Sequence, residues 1–453
     1  MTATAASGPE PTPAALIAAR PHLAYDPQEG LRMGGVALAP LAACYGTPLY
    51  VYDGDEMARR FAALRAALPA RAQIHYAVKA NDHLAILRLF ADLGSGFDIV
   101  SGGELARLQA VGVAPERVIF SGVGKSDEEL RAAIAAGVGQ INAESGEELA
   151  RIAALAAALG KPAPIALRIN PDIDAGTHAK ITTGRREDKF GIPEEEAAQL
   201  YARAAAERWL RPVGLAVHIG SQITALAPFE RAYRRLLERA EALRAAGLPL
   251  RRLDLGGGLG ISYRAETALS LERFGAMLGR LFARTGFELA LEPGRYLVGP
   301  AGVLLTRVIR RKETVHRHFV IVDAAMNDLI RPALYEAWHG IVPVGPRSGG
   351  LEGAELQEAD VVGPVCESGD TFARARLLPP LAEGEILALL DAGAYGRVMA
   401  STYNARPLAA EVMIREGRAA LIRPRQRREE LWAHEIAAPF DAGEDEAAAG
   451  GRG

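Results

Sequence analysis

Gln73-Ile74-His75-Tyr76-Ala77-Val78-Lys79-Ala80-Asn81 reads as a short apolar strand that ends on a lysine. It is the first of a series. Further strand candidates centre on Phe97, Ile119, Ile141, Ile165, Leu215, Leu253 and Leu289, making eight with Ile74. Between them run helical patterns such as Ser101–Val111, Asp127–Ala136, Glu147–Ala158, Glu194–Glu207 and Phe229–Ala246. Eight strand–helix units over about 250 residues predict an α/β fold, a parallel (β/α)8 TIM-like barrel.

After Gly299-Pro300 the texture changes. Val303–Ile309, His318–Val322, Asp360–Val362, Ile386–Leu390 and Ala410–Ile414 are strand-like and separated by Gly/Pro turns. They predict a C-terminal all-β domain of sandwich or barrel-like form, joined from the other side by an extended N-terminal strand at Pro48–Val51. The expected division is a disordered start over 1–20, an N-terminal segment of the β domain over 21–52, the barrel over 53–300, the β domain over 301–440 and a disordered tail over 441–453. Gly345–Gly353 has no periodicity and reads as a loop.

The 453 residues are too many for one ordinary core, which agrees with two domains. A net charge of −3 supplies no field for nucleic acid or a membrane surface, so neither is expected as a partner. Two cysteines, Cys44 and Cys366, make no disulfide framework and suit a reducing compartment. No apolar run reaches membrane-spanning length and Met1–Pro13 lacks a signal-peptide pattern, so the cytoplasm is the expected location.

Barrel enzymes place their chemistry at the C-terminal ends of the strands. Polar residues collect there: Lys79, Asp98, Ser121, Asn142 with Glu144, Arg168 with Asn170, His218 with Ser221, the glycines 256–258, and Glu292 with Arg295. Each has an ordinary reading too. Lys79 could be a surface charge; desolvated at a strand end, its pKa would fall and the amine could form a Schiff base. Gly256, Gly257 and Gly258 could be a plain turn, or a place where backbone N–H groups close around a phosphate. His218 could be a core histidine or could stack on a flat heterocycle. Glu292 could pair with Arg295 or hold a proton on a pyridine nitrogen. Cys366 could be a small hydrophobe or, with an ordinary thiol pKa of about 8.5, a proton donor. Arg331 and Tyr335, four apart, could stack structurally or bind a carboxylate. His316 and His318 have no companion ligands, and no metal site is expected. Amine, phosphate cradle and ring-nitrogen carboxylate together are what pyridoxal 5'-phosphate requires.

From about Thr47 to Pro424 the chain resembles the alanine-racemase-like, barrel-type pyridoxal-phosphate decarboxylases, and among them the diaminopimelate decarboxylase family. The likeness rests on Tyr76–Asn81, Phe97–Glu104, Thr182–Ile192, His218–Gln222, Asp254–Gly258, Glu292–Arg295, Asp323–Tyr335, Gly363–Asp370, and Tyr395 with Tyr403-Asn404. The resemblance implies that Lys79 carries the cofactor and that His218 stacks on its ring. Ser221, Gly256–Gly258 and the loop Glu292, Gly294 and Arg295 would hold the phosphate and ring nitrogen. Arg295, Arg331, Tyr335 and Glu367 would bind an amino-acid substrate, Tyr395 would touch substrate and cofactor, and Cys366 would protonate the carbanion. It also implies a homodimer in which Cys366 and Glu367 enter the partner's site.

The residues help to choose a substrate within that family. A distal ammonium alone needs one acid, whereas the distal zwitterion of meso-2,6-diaminopimelate needs both signs. Arg295, Arg331 and Glu367 supply both. The expected reaction is its decarboxylation to L-lysine and CO2; ornithine, arginine or carboxynorspermidine are the alternative substrates.

Overall fold

The computed structural model describes residues 10–174, 189–264 and 268–437. Eight strands form the predicted barrel: β1 (Ala72–Ala77), β2 (Gly96–Ile99), β3 (Val118–Phe120), β4 (Gln140–Ala143), β5 (Ala163–Asn170), β6 (Leu210–Ala216), β7 (Arg252–Asp254) and β8 (Glu288–Leu291). Each pairs in parallel with its successor, and β8 pairs with β1 to close the ring. The strands are short and apolar because helices cover them outside and side chains fill them inside; β2, β3 and β4 are buried at every position.

Local chemistry sets the helices between them. Ser101, Ser126 and Ser145 each cap a helix by accepting the N–H of a glutamate three residues on, and Ser126 with Glu129 forms a full capping box. The helices begun by Ser126 and Ser145 end on left-handed Gly137 and Gly160, which turn the chain back to the next strand. Their apolar stripes (Leu130, Ala133 and Ile134; Leu149, Ile152 and Leu155) pack onto the barrel wall.

The second sheet is built around Gly302–Glu313. This strand pairs antiparallel with His318–Val322, Ile386–Leu389 and the N-terminal strand Leu49–Asp53. Leu49–Asp53 in turn lies parallel to Ala410–Arg415, so the anticipated N-terminal strand sits inside the sheet and all five of its residues are buried. Sequence reading passed over Thr371–Leu378, Ile341–Pro343 and Arg418–Arg423 as strands. Arg374 and Arg376, or Arg418 and Arg423, interrupt the apolar alternation, and only ladder partners reveal them.

The start of the chain differs from expectation. Composition predicts disorder through residue 20, yet Pro13–Ala18 is a helix capped by Thr12, with Leu16 and Ile17 buried against the β domain. Two apolar residues one turn from a capped proline suffice once a groove receives them. Arg20 completes the attachment: its guanidinium donates to both oxygens of Asp391, its NH1 to Leu16 O, and its NH2 to Tyr263 O. Arg20→Ala would leave Asp391 as a buried charge without its partner, and a loss of about 3–5 kcal/mol in urea unfolding is expected. An unchanged midpoint would show that the N-terminal attachment adds no stability. Residues 1–9, the tail beyond 437, and the part of the Thr182–Ile192 motif before Lys189 lie outside the described residues.

Candidate active site

A single turn of 3-10 helix, Val78–Ala80, follows β1 and aims Lys79 across the barrel mouth. Its Nζ forms an ion pair with Asp98 Oδ2, at the end of β2, and the Asp98 side chain is fully buried. The lysine itself is 34% exposed, toward a cavity of about 180 Å³. That cavity is lined by Lys79, His218, Ser221, Gly258, Glu292, Gly294, Arg295, Tyr335 and Tyr395, together with Ala77 and Leu259. Nine residues anticipated from sequence thus share one pocket, at the C-terminal end of the barrel.

The electrostatics of the lysine run opposite to expectation. Burial works against the ammonium, but Asp98, Glu292 and Tyr395 outweigh it and raise the Lys79 pKa above the ordinary lysine value. The ion pair with Asp98 leads these and wins over desolvation. In the free protein this lysine is a held cation.

Glu292, just past β8, is buried, and its Oε1 has no hydrogen-bond partner. Burial and the neighbouring Asp254 push its pKa well above the usual carboxylate range. An orphaned acid oxygen facing a cavity is what a ring N–H would satisfy.

The glycine turn forms the adjoining wall. Gly256 has φ +67° and Gly258 φ +101°. A Cβ on Gly257 would lie 2.3 Å from Glu292 O, so no larger residue fits between β7 and β8. Gly257 N–H donates to His218 Nδ1 at 3.1 Å, which places the histidine proton on Nε2. Burial, Arg168 and Lys79 hold the His218 pKa well below its ordinary value, so the ring is neutral. A neutral imidazole suits a flat partner better than a charged one beside Lys79.

Arg295 and Arg331 are both buried. Arg295 NH1 donates to Tyr263 Oη at 2.7 Å, its NH2 donates to Ser221 Oγ at 3.1 Å, and the guanidinium lies 4.9 Å from the Tyr395 ring centre. Arg331 opens the short helix Arg331–Tyr335 and stands over the other side of the Tyr263 ring system, 4.9 Å from its centre. Its NH1 meets His339 Nε2 at 2.7 Å, while His339 Nδ1 donates to Leu390 O at 2.7 Å. His339 is therefore a neutral acceptor, and burial holds its pKa well below normal.

Tyr395 adopts φ +54°, a conformation unfavourable for a tyrosine, and its N–H donates to Ala80 O at 2.8 Å. Asn81 Nδ2 donates to Gly393 O at 3.1 Å. These two bonds pin the β-domain loop onto the lysine turn.

Cys366 and Glu367 stand apart. Both are exposed in the turn after Gln357–Val362, and neither lines the cavity of its own chain. The turn is ordered all the same: Asp370 accepts from Val365 N and Met326 N, each at 2.7 Å, and Glu367 hydrogen-bonds the Tyr403 hydroxyl.

Sequence reading placed Asp98 at the correct rim without naming it as the lysine's partner, and it did not single out Tyr263, His339 or Asp254. Asp254 had a usable signal, being the last strand residue before the glycines. Tyr263 and His339 had none: Tyr263 reaches Arg295 from 32 positions away, and only the packing of the two domains brings Tyr263 beside Arg331 and His339.

The residues present fit pyridoxal 5'-phosphate: an amine, a neutral ring for stacking, a glycine cradle that side chains would fill, and an orphaned acid. Fold and pocket together define a barrel enzyme of the pyridoxal-dependent class. Comparison with known proteins agrees. Residues 54–299 match the family described as "Pyridoxal-dependent decarboxylase, pyridoxal binding domain". Diaminopimelate decarboxylase of Zymomonas mobilis is 49% identical over 406 residues, 88% of this chain and 95% of that one. The Pseudomonas aeruginosa enzyme of the same name is 49% identical, covering 89% of this chain and 96% of its own. The crystal structure of the Helicobacter pylori diaminopimelate decarboxylase complexed with L-lysine superposes with a TM-score of 0.84 at 41% identity, over 87% of this chain and 98% of that one. The chain belongs to the diaminopimelate decarboxylase family.

Proposed function

We propose that this chain removes CO2 from meso-2,6-diaminopimelate to give L-lysine, the last step of lysine biosynthesis, using pyridoxal 5'-phosphate. The supporting observation is a pair of buried guanidinium groups: Arg295 lines the cavity with the held amine of Lys79, and Arg331 lies within electrostatic reach of Arg295. Among the described residues neither has a carboxylate within ion-pair distance. Buried cations without counter-ions are costly, and anionic groups of cofactor and substrate would relieve them. When bound, the cofactor supplies a protonated pyridine ring that accepts the electron pair left as CO2 departs.

The chain's own residues divide the remaining work. Lys79 carries the cofactor and Asp98 holds the amine in position. His218 covers one ring face, and Glu292 accepts the ring N–H. Ser221, Gly256, Gly257, Gly258 and Gly294 would hold the phosphate through backbone N–H and hydroxyl groups. Arg295, Arg331 and Tyr335 hold substrate carboxylate, and Tyr395 closes the site over both. Cys366 Sγ delivers the proton that replaces CO2, and Glu367 pairs with the distal ammonium.

The last two roles require a second chain. Cys366 and Glu367 are exposed on an ordered turn outside their own cavity, so a homodimer in which each turn completes the partner's site accounts for their position. A cytoplasmic location and the division of the chain near residues 53 and 300 belong to the same reading; the match over 54–299 supports the second. Among the described residues no helix is long and apolar enough to cross a membrane.

The direct test supplies purified protein with meso-diaminopimelate, ornithine, arginine and carboxynorspermidine. CO2 release with lysine as product from the first alone is expected; preference for any other would replace the substrate assignment. Glu367→Ala should raise KM for diaminopimelate roughly tenfold to a hundredfold, the cost of leaving a distal ammonium unpaired, with cofactor absorbance unchanged. An unaltered KM would remove Glu367 from substrate binding.

A further inference from the structure

The interior of this barrel is not purely aliphatic. Most such barrels fill their centre with branched side chains, but here Gln140 and Asn142 of β4 face Asp254 of β7, all buried. Asp254 Oδ2 accepts from Gln140 Nε2 at 3.1 Å and from Asn142 Nδ2 at 3.2 Å, and Oδ1 accepts the Gly256 N–H at 3.0 Å. The amides are fixed from behind. Gln140 Oε1 accepts from Arg252 NH1 at 3.4 Å, Asn142 Oδ1 accepts from Gln140 Nε2 at 2.8 Å, and Asn142 Nδ2 also reaches Ser121 Oγ at 3.1 Å. Asp254 in turn hydrogen-bonds Glu292, the acid that faces the cavity.

Two buried carboxylates in contact share a proton unless a cation beside them offsets the second charge. The donors decide where the charge rests. Asp254 receives three N–H groups, each of which favours its anionic form; Glu292 receives none on Oε1. The shared proton therefore resides on Glu292 and the negative charge on Asp254. The other charges facing the pair are Lys79 and Asp98, themselves ion-paired, and the un-ionised hydroxyl of Tyr233.

We propose that Asp254 is a positioning residue for the cofactor ring: its fixed negative charge keeps a proton stored at Glu292, ready for the pyridine nitrogen. This rests on the cofactor site described above and adds to it. A protonated Glu292 beside a neutral pyridine carries the same charge as a Glu292 carboxylate beside a pyridinium. When the ring binds, its nitrogen would take that proton from Glu292, the pyridinium would offset the second carboxylate, and no proton would be drawn from solvent. The polar file through the barrel is thus a device for keeping the ring protonated, and it explains why amides occupy a layer where leucine or valine would pack more cheaply.

The test uses full-length protein freed of cofactor and loaded with deoxypyridoxine phosphate, an aldehyde-free analogue, labelled with nitrogen-15 in the ring. Its NMR shift reports ring protonation directly, without turnover. In the wild type the bound ring should remain protonated through the neutral range. Asp254→Asn keeps shape but loses the charge, and should lower the ring's protonation midpoint by about one pH unit or more, tenfold in proton affinity. Glu292→Gln, which removes the acid itself, should lower it further. Gln140→Met leaves both acids and withdraws one donor from Asp254, so the proton shifts toward Asp254 and a smaller fall in the same direction is expected. It serves where Asp254→Asn does not fold. Equal midpoints in wild type and the Asp254→Asn or Gln140→Met variant would overturn the proposal, whatever happens to thermal stability. Failure of the wild type to bind the labelled analogue would instead count against the cofactor site itself, and remove the ground of the proposal with it.

Discussion

Replacing Lys79 by alanine is expected to abolish the visible absorbance of the bound cofactor and to lower turnover by about four orders of magnitude or more. The size follows from the amines at hand: among the described residues that line the cavity, Lys79 is the only lysine. Alanine has a second effect to be separated from the first. It leaves Asp98, fully buried, without its cation, at a cost below the about 3–5 kcal/mol of a fully buried pair because the lysine is 34% exposed. Lys79→Arg separates the two. Arginine retains a charge for Asp98 but stays protonated and forms no Schiff base. The expectation is a melting temperature close to wild type in the arginine variant, with absorbance and turnover lost in both. Retained turnover in either variant would end the proposed role of Lys79.

Mixing two inactive variants should restore activity. Lys79→Ala lacks the amine and Cys366→Ala lacks the proton donor, so each homodimer is deficient in both of its sites. If Cys366 completes the partner's cavity, a mixed dimer has one site with both defects and one site with none. Random exchange of equal amounts puts half the dimers in the mixed form, each half active, giving about a quarter of wild-type turnover. A mixture that exchanges subunits, as followed by tagged chains, yet stays inactive would show that Cys366 does not act across an interface. The expected effect is large because the baseline is near zero. It also reads the dimer directly from catalysis, where a sedimentation measurement would report association without saying what association does.

Much of this architecture was legible because helix and strand signals are local. Capped serines, left-handed glycines and apolar strand cores announce the eight units, and strand ends mark the functional rim. Seven of the nine residues around the cavity were recoverable for the same reason, since in a parallel barrel position along each strand decides which face a side chain reaches; Tyr335 and Tyr395 belong to the β domain and were read from their own short motifs. The N-terminal helix was not recoverable. Leu16 and Ile17 have no periodic context, and the groove that receives them is made by residues more than three hundred positions away, such as Val342 and Leu390. Thr371–Leu378 was hidden for a related reason, since its two arginines break the alternation and the partners that let Arg376 be buried, His339 O, Glu10 and the Trp338 ring, are distant in sequence.

Charge states divide along the same line. Lys79 at a strand end suggested a lysine made less basic by burial; the fold brought the Asp98 carboxylate beside it and reversed the sign. The amino-acid order alone determined the barrel, the extra strand at Leu49–Asp53 and the identity of the reactive groups, since each depends on residues near one another in the chain. Only the tertiary packing decided which acids touch and which histidines stay neutral. Those properties depend on distance through space and on exclusion of water, and neither exists until the chain has folded.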